Sequence, residues 1–188
     1  MAANRDDSDV KIFSGSRKDG GDGFDALSFI EETKNQRFNG NTAKAKALGA
    51  NIVSAFSYKA APFEIVQLAA GYGIEMTDEL LLQIKILSVF SAEYCINKNL
   101  PTPLLSGIAV NELYEVLDRV SPDFYNELSR SMAFSFYYLS VKKRESIGGR
   151  FAMLCGKPDD PAYSALGEEL HDINMRVYSE AIRGFAFV

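Results

Sequence analysis

The distribution of apolar residues along the chain predicts a series of helices, and one segment stands apart from the rest. Between Thr77 and Asn99 the apolar residues point in every direction around a helix that turns about 100° per residue. Thr77 has the chemistry of an N-cap, and Pro101 prevents continuation of the helix. A helix that is apolar all round is either buried in a core or spans a membrane, and the charges inside this one argue against the membrane. We therefore expect residues 77–99 to form a central helix wrapped by others.

The remaining apolar patterns predict seven further helices and no strand. These helices cover residues 24–38, 42–58, 63–70, 104–120, 122–144, 147–155 and 162–184. Residues 104–120 carry one apolar stripe opposite one polar side, which is typical of an outer helix. The short connections favour packing between successive helices. The predicted fold class is all-α, a single-domain helical bundle of about seven to eight helices around the buried helix 77–99.

Two of these helices carry more specific signals. Leu27, Ile30 and Phe38 mark the expected buried side of the first helix. Gly49 lies in the middle of the second helix and indicates the close approach of another helix, because glycine has no side chain to keep a neighbour away.

The last helix has two apolar stripes. The first contains Leu166, Leu170, Ile173 and Val177, and the second contains His171, Met175, Tyr178 and Ile182. This is more apolar surface than one core contact requires. We therefore expect the chain to form a homodimer or to bind a protein partner.

The two ends of the chain differ from the helical part in composition. Residues 1–23 are rich in Asp, Gly, Ser, Arg and Lys, with one apolar island at residues 10–13. We expect this segment to be disordered or loosely docked, and residues 24–188 to form the helical domain. Residues 185–188 are mostly apolar and are expected either to fold back onto the bundle or to dock on a partner.

Charge and cysteine content narrow the classes of function. The chain of 188 residues has a formal net charge of -5, which makes it a poor electrostatic match for nucleic acid or an anionic membrane. Neither is an expected partner. Cys95 and Cys155 lie far apart in apolar surroundings, and the first residues do not resemble a signal peptide. Reduced thiols and a cytoplasmic location are therefore expected.

His171 is the only histidine and the first residue to consider for chemistry. Glu168 and His171 have the spacing that ferritin-like dimetal bundles use, but such sites need a second Glu-x-x-His from another helix. No second histidine exists, so this site is excluded and no metal or cofactor is predicted. No catalytic set of residues is recognisable, and whether the chain is an enzyme stays open.

Six residues are candidates for binding a small ligand, above all an anionic one. They are Tyr137, Arg144, Arg150, Glu168, His171 and Tyr178. Their pocket would lie between the predicted helix 122–144 and the last helix. The alternative for the two arginines is neutralisation of a helix C-terminus, and the alternative for the histidine and the tyrosines is a place in the core.

Two hypotheses of function follow. The first is a non-enzymatic helical bundle that acts through association with itself or with another protein, because the chain lacks recognisable chemistry and has surplus apolar surface. The second is a small-ligand-binding protein or enzyme that uses the six candidate residues.

Overall fold

The structure of the protein, a computed structural model, describes residues 26–54 and 62–188. Within these ranges the chain forms helices and no strand, which confirms the predicted all-α class. The helices are α1 (Ala26–Phe38), α2 (Asn41–Ser54), α3 (Phe63–Gly71), α4 (Asp78–Asn99), α5 (Pro103–Val120), α6 (Pro122–Arg130), α7 (Ala133–Lys143), α8 (Ile147–Leu154) and α9 (Pro161–Gly184). The predicted disorder of residues 1–23 and the predicted helix end at residues 55–58 lie outside the described residues.

Local sequence signals explain where α4 and α5 begin. The Thr77 hydroxyl accepts a hydrogen bond from the Leu80 amide at 3.2 Å, and Asp78 adds an acid to the first turn. Thr102 accepts from the Leu105 amide at 3.3 Å in the same way. Each cap satisfies one of the amides that a helix start leaves without a partner. The N-cap predicted at Thr77 is therefore confirmed.

Buried residues are spread around the whole circumference of α4. They are Leu80, Ile84, Ile86, Leu87, Val89, Phe90, Ser91, Ala92, Cys95 and Ile96. The helix contacts α5, α7, α8 and α9. The all-round apolar pattern thus corresponds to neighbours on several sides. In the described part of the chain, no helix combines the length and the apolarity needed to cross a membrane.

Glycines allow two pairs of helices to approach closely. A Cβ atom on Gly49 would lie 2.3 Å from the backbone oxygen of Ala109, so α2 rests directly on α5. This confirms the close approach predicted at Gly49. Between α8 and α9, a Cβ on Gly148 would lie 2.0 Å from the backbone oxygen of Ser164. A side chain at either position would force the helices apart.

The predicted helix 122–144 is wrong in one respect, because it is two helices. Ser131 adopts an extended conformation with ψ 135°, and its hydroxyl accepts a hydrogen bond from the Ala133 amide at 3.1 Å. On a continuous helix, Ala133 would lie about 140° from Leu128 around the axis. The break lets both residues be buried. The described residues therefore contain nine helices.

The predicted buried side of α1 is also wrong. Leu27, Ile30 and Phe38 are 79%, 48% and 92% exposed, and α1 has no buried residue. The helix packs on α2. The side that carries Leu27 and Phe38 also carries Glu31 and Lys34, and burying these two charges in the core would be costly.

The two apolar stripes of α9 are used mostly within the chain. Leu170 of the first stripe is buried, and so are Tyr178 and Ile182 of the second. Val177 is exposed. Most of the surplus apolar arc predicted for this helix is therefore covered within the chain; Val177 stays exposed and Ile173 is half-buried, and this is too little surface to argue for a dimer.

The C-terminal residues fold back onto the bundle. Phe185 and Phe187 are half-buried and pack against the core, with ring centroids 6.4 Å apart. The buried Asn41 side chain accepts a hydrogen bond from the Val188 amide at 3.2 Å and donates one to the Val188 oxygen. Lys44 Nζ donates to the Ala186 oxygen at 2.7 Å. Of the two outcomes expected for this segment, the structure has the first.

Candidate functional site

A line of small polar residues on α4 faces α9 and forms the candidate site. This line and its partners, which we call the α4–α9 seam, comprise Ser88, Ser91 and Cys95 of α4 with His171, Asn174, Tyr178 and Ser179 of α9. The α4 residues are three and four positions apart, so they share one side of the helix. Ser88 Oγ lies 2.7 Å from the Tyr178 hydroxyl, and Cys95 Sγ lies 3.2 Å from Ser179 Oγ. Each polar group of α4 in the seam thus meets a polar group of α9.

His171 lies half-buried in the middle of the seam. Its Nδ1 is 2.9 Å from Ser91 Oγ, and its ring stacks on Phe90 with centroids 6.1 Å apart. Burial lowers the pKa of His171 below its ordinary value of 6.5, while the charges of Asp172 and Glu168 oppose that shift. The ring is therefore held mainly in its neutral form at neutral pH.

The bonds around Ser91 determine which ring nitrogen of the neutral histidine carries the proton. The Ser91 hydroxyl donates to the Leu87 carbonyl oxygen at 2.8 Å, which uses its single proton. Its contact with His171 must then be one in which Nδ1–H donates and Ser91 accepts. We therefore assign the proton of the neutral ring to Nδ1 and its lone pair to Nε2.

Two cavities border the seam. The first, which we call the Ser88 cavity, has a volume of about 170 Å³ and lies among α3, α4 and α9. Its apolar walls are formed by Pro62, Ile65, Leu81, Ile84, Leu170 and Val177, and its polar groups belong to Lys85, Ser88, Asn174 and Tyr178. The second cavity, of about 330 Å³, is more open and lies between α9 and the C-terminal residues, with Ser179 and Arg183 in its lining.

The Arg150 side chain is held by contacts with other residues of the chain. Its Nε donates to Ser140 Oγ at 2.9 Å, one of its terminal nitrogens donates to Glu145 at 2.8 Å, and its guanidinium lies 5.6 Å from the centre of the Phe136 ring. The Arg150 side chain is only 19% exposed. These contacts explain its position without an external anion. Arg144 is exposed at the end of α7, where it adopts the left-handed conformation with φ 59°.

The Glu168 side chain of α9 lies at the N-terminus of α8. The Ser146 hydroxyl caps this helix by accepting from the Gly149 amide at 2.8 Å, and it donates to Glu168 at 2.5 Å. A carboxylate is favoured near the positive end of a helix dipole. The chain thus places its own acid at this helix end.

The two candidate tyrosines lie in different surroundings. Tyr137 is fully buried and stacks on Phe90 at 5.0 Å, so Phe90 contacts both Tyr137 and His171. The Tyr137 hydroxyl has no hydrogen-bond partner among the described residues, and burial raises its pKa. Tyr178 lines the Ser88 cavity. Helix α8 contacts both α7 and α9. A ligand pocket that joins all six candidates stays a prediction.

Glu93 is a polar centre that was not among the six residues predicted to bind a ligand. On α4, it accepts hydrogen bonds from the hydroxyls of Tyr114 on α5 at 2.5 Å and Tyr138 on α7 at 2.8 Å. Burial, and then the Glu93 charge, raise the pKa of both phenols. The signal in the sequence was an acid within an otherwise apolar helix, but nothing there pointed to its two partners.

Comparisons of the chain with protein-family models, curated proteins and solved structures found no match. Within residues 26–54 and 62–188, no group of three or more His, Cys, Asp or Glu side chains is placed to hold a metal ion. Cys95 and Cys155 are both free, and burial raises the pKa of Cys155 to about 12, so that residue is a neutral thiol at pH 7.

Proposed function

We propose that this protein acts through association, with a second copy of the chain as its partner, rather than through catalysis. The observation that carries the proposal is the surface of α1, whose Leu27, Ile30 and Phe38 side chains remain largely exposed. Exposed apolar side chains that share one helix are typical of surfaces that another protein covers.

The length of α1 adds a second reason. The helix has 13 residues, none of them buried within the chain. Isolated helices of this length are marginally stable in water, and most helices in proteins are stabilised by burying one side. Contact with another chain would provide such burial, with each Å² of apolar surface removed from water contributing about 25 cal/mol.

Sedimentation velocity on the full chain over a wide concentration range tests the proposal. We expect a reversible monomer–dimer equilibrium that shifts toward monomer when Phe38 is replaced by Ser. Met132→Ser serves as a control, because it removes an exposed apolar side chain at the start of α7 and leaves α1 unchanged. A chain that stays monomeric at the highest soluble concentration would contradict the proposed function.

A second candidate function, binding of a small apolar molecule with one hydrogen-bonding group, is favoured by the Ser88 cavity. Its volume of about 170 Å³ resembles that of an apolar cavity of about 150 Å³ known to bind benzene. Ser88 and Asn174 could orient a polar group of the ligand.

Phenol and toluene separate this candidate from simple occupancy of an apolar space. Phenol should raise the melting temperature of the wild-type protein more than toluene does, and this preference should disappear in Ser88→Ala. Comparing the two probes within each variant cancels any stability change that the substitution itself causes. Absence of a shift with either compound at millimolar concentration would exclude the candidate.

A further inference from the structure

One side of α1 carries an order of apolar and charged residues that reads the same from either end of the helix, except that the acid and the base change places. At about 100° per residue, Leu27, Glu31, Lys34 and Phe38 fall within about 60° around the axis. They are separated by four, three and four positions, in the order apolar, acidic, basic, apolar. All four are exposed. Turning the helix end over end exchanges the two apolar residues and places an acid where the base was.

We propose that two copies of the chain associate through antiparallel α1 helices related by a two-fold axis midway between Glu31 and Lys34. Leu27 then faces Phe38 of the partner subunit, and Glu31 faces Lys34 of the partner subunit. Each contact occurs twice. The inference rests on the proposed function of self-association and identifies the surface that carries it.

Charge complementarity is the reason for a second copy as the occupant of this surface. A two-fold interface brings the same surface of both subunits together, so that surface must complement itself. This side of α1 meets the condition when the two helices are antiparallel, because both apolar contacts and both acid–base contacts then form together. In a parallel arrangement with the helices in register, Glu31 would instead face Glu31 of the partner subunit and Lys34 would face its own copy.

The size of α1 determines how strong this dimer is. A helix of 13 residues is about 20 Å long, so the contact is small compared with a standard protein interface. The expected dimer is therefore weak and concentration-dependent. Because its charged pairs are exposed, it should weaken further as salt shortens the Debye length, which is about 10 Å at 0.1 M.

Reversing one charge tests the pairing directly in the full-length chain. Glu31→Lys and Lys34→Glu each place like charges opposite one another, and like-charge contacts across an interface oppose association strongly. At low salt we expect each variant to raise the dimer dissociation constant by about tenfold or more. Glu115→Lys is the matched control for Glu31→Lys, because Glu115 is exposed on α5 and both substitutions change the net charge by the same amount in the same direction.

Mixing the two single variants provides the decisive experiment. A heterodimer of Glu31→Lys with Lys34→Glu contains only opposite-charge contacts, so the mixture should associate about as strongly as the wild type while neither variant does so alone. The double variant Glu31→Lys/Lys34→Glu should likewise recover self-association. Mixing cannot restore contacts inside one helix, so recovery in the mixture separates pairing between chains from a change in the stability of α1.

The possible outcomes distinguish this inference from the proposed function. Recovery of the dimer in the mixture supports the antiparallel pairing. A wild-type dimer that neither single variant weakens beyond Glu115→Lys would overturn this pairing but leave self-association in place. A wild-type chain that is monomeric throughout would overturn both. Circular dichroism of each variant establishes that the helical fold is intact.

Discussion

At the scale of single residues, His171 is the only histidine of the chain and lies in the middle of the α4–α9 seam. Its Nδ1–H donates to Ser91, and its ring rests on Phe90 in the α4–α9 seam. These two contacts account for the position of the His171 ring without a ligand. If it has a further role, that role must use Nε2, which remains the acceptor of the neutral ring.

Two replacements of His171 measure what its hydrogen bond contributes. His171→Leu removes the donor and leaves the acceptor of Ser91 without this bond, which should destabilise the protein by about 1–3 kcal/mol. His171→Asn keeps an N–H near the position of Nδ1 and should be affected less. Urea unfolding of both variants beside the wild type gives the comparison. Equal losses in the two variants would show that packing, not the hydrogen bond, accounts for the effect.

The lowered pKa of His171 predicts a pH dependence of stability. The unfolded chain binds this proton more tightly than the folded chain, because burial lowers the pKa of the ring in the fold. Stability should therefore fall as the pH drops below 6.5, until the lower pKa of the folded state is reached, and return above 6.5. Unfolding of wild type and His171→Asn between about pH 5 and 8 isolates this contribution. Parallel pH profiles of the two proteins would contradict it.

Glu93 provides a second test among single residues. Replacing it with Leu leaves the hydroxyls of Tyr114 and Tyr138 without their acceptor, at a cost of about 1–3 kcal/mol for each. Replacing both tyrosines with Phe in the same protein should recover much of this loss, since no polar group then remains unsatisfied. Chemical unfolding of the single and triple variants checks both steps. A triple variant less stable than Glu93→Leu would mean that the phenols find other partners.

At the scale of helices, cap residues and glycines in the sequence predicted helix ends and close helix contacts. The helix break that contains neither proline nor glycine was not predicted. Thr77 predicted the beginning of α4, because an N-cap acts locally, and the predicted helix 122–144 begins at the same residue as α6. Ser131 ends α6 although nothing in its immediate sequence forbids a helix. Its position matters because it lets Leu128 and Ala133 both face the core, and that depends on neighbours distant in sequence.

Two glycines in helices that touch each other test the close approach of α2 and α5. Gly49→Ala adds a methyl group 2.3 Å from a backbone oxygen of α5, and overpacking of this kind costs about 1–3 kcal/mol. Gly107→Ala, in α5 itself, adds the same group in open space and should stabilise the protein by up to about 1 kcal/mol. Thermal unfolding of the two variants should show shifts of opposite sign. Destabilisation by both would contradict the packing difference.

At the scale of the whole molecule, tyrosine hydrogen bonds join helices across the bundle. Glu93 connects α4 to α5 and α7 through two phenols, and Tyr72 donates to Glu169 of α9 at 2.5 Å. In the α4–α9 seam Tyr178 pairs with Ser88. Because these contacts are spread over several helices, a change in the protonation of the phenols affects the entire fold.

Alkaline pH should therefore unfold the protein. Burial is the largest cause that raises the pKa of Tyr114, Tyr137, Tyr138 and Tyr178, so these phenols ionise more readily in the unfolded chain. Their contribution to stability is present below pH 10 and is lost as the pH rises beyond it, by up to about 1.4 kcal/mol per group and pH unit.

Absorbance of tyrosinate near 295 nm measures this transition without interference from tryptophan, which the chain lacks. We expect the buried tyrosines among the nine of the chain to ionise together with loss of circular dichroism. Ionisation of all tyrosines in one gradual step, with the helices intact, would contradict the prediction.

The amino-acid sequence by itself determined the features that depend on neighbours within one or two helical turns. Apolar spacing identified the helical segments, the N-cap of α4 followed from Thr77, and the missing side chain of Gly49 indicated a close helix contact. The same information determined that the chain has one histidine and therefore no paired Glu-x-x-His site. Short-range sterics and hydrogen bonds decide these features, so no knowledge of the fold is needed.

Only the tertiary structure decided which groups separated in sequence meet. It placed Glu93 between Tyr114 and Tyr138, bound Arg150 to Ser140 and Glu145, and left one side of α1 exposed where a buried side had been predicted. The physical reason is that helical periodicity specifies how residues are arranged around an axis but not which helix lies against them. That choice depends on the combined packing of all helices, in which small residues such as Ser91 and Gly148 allow particular pairs to approach.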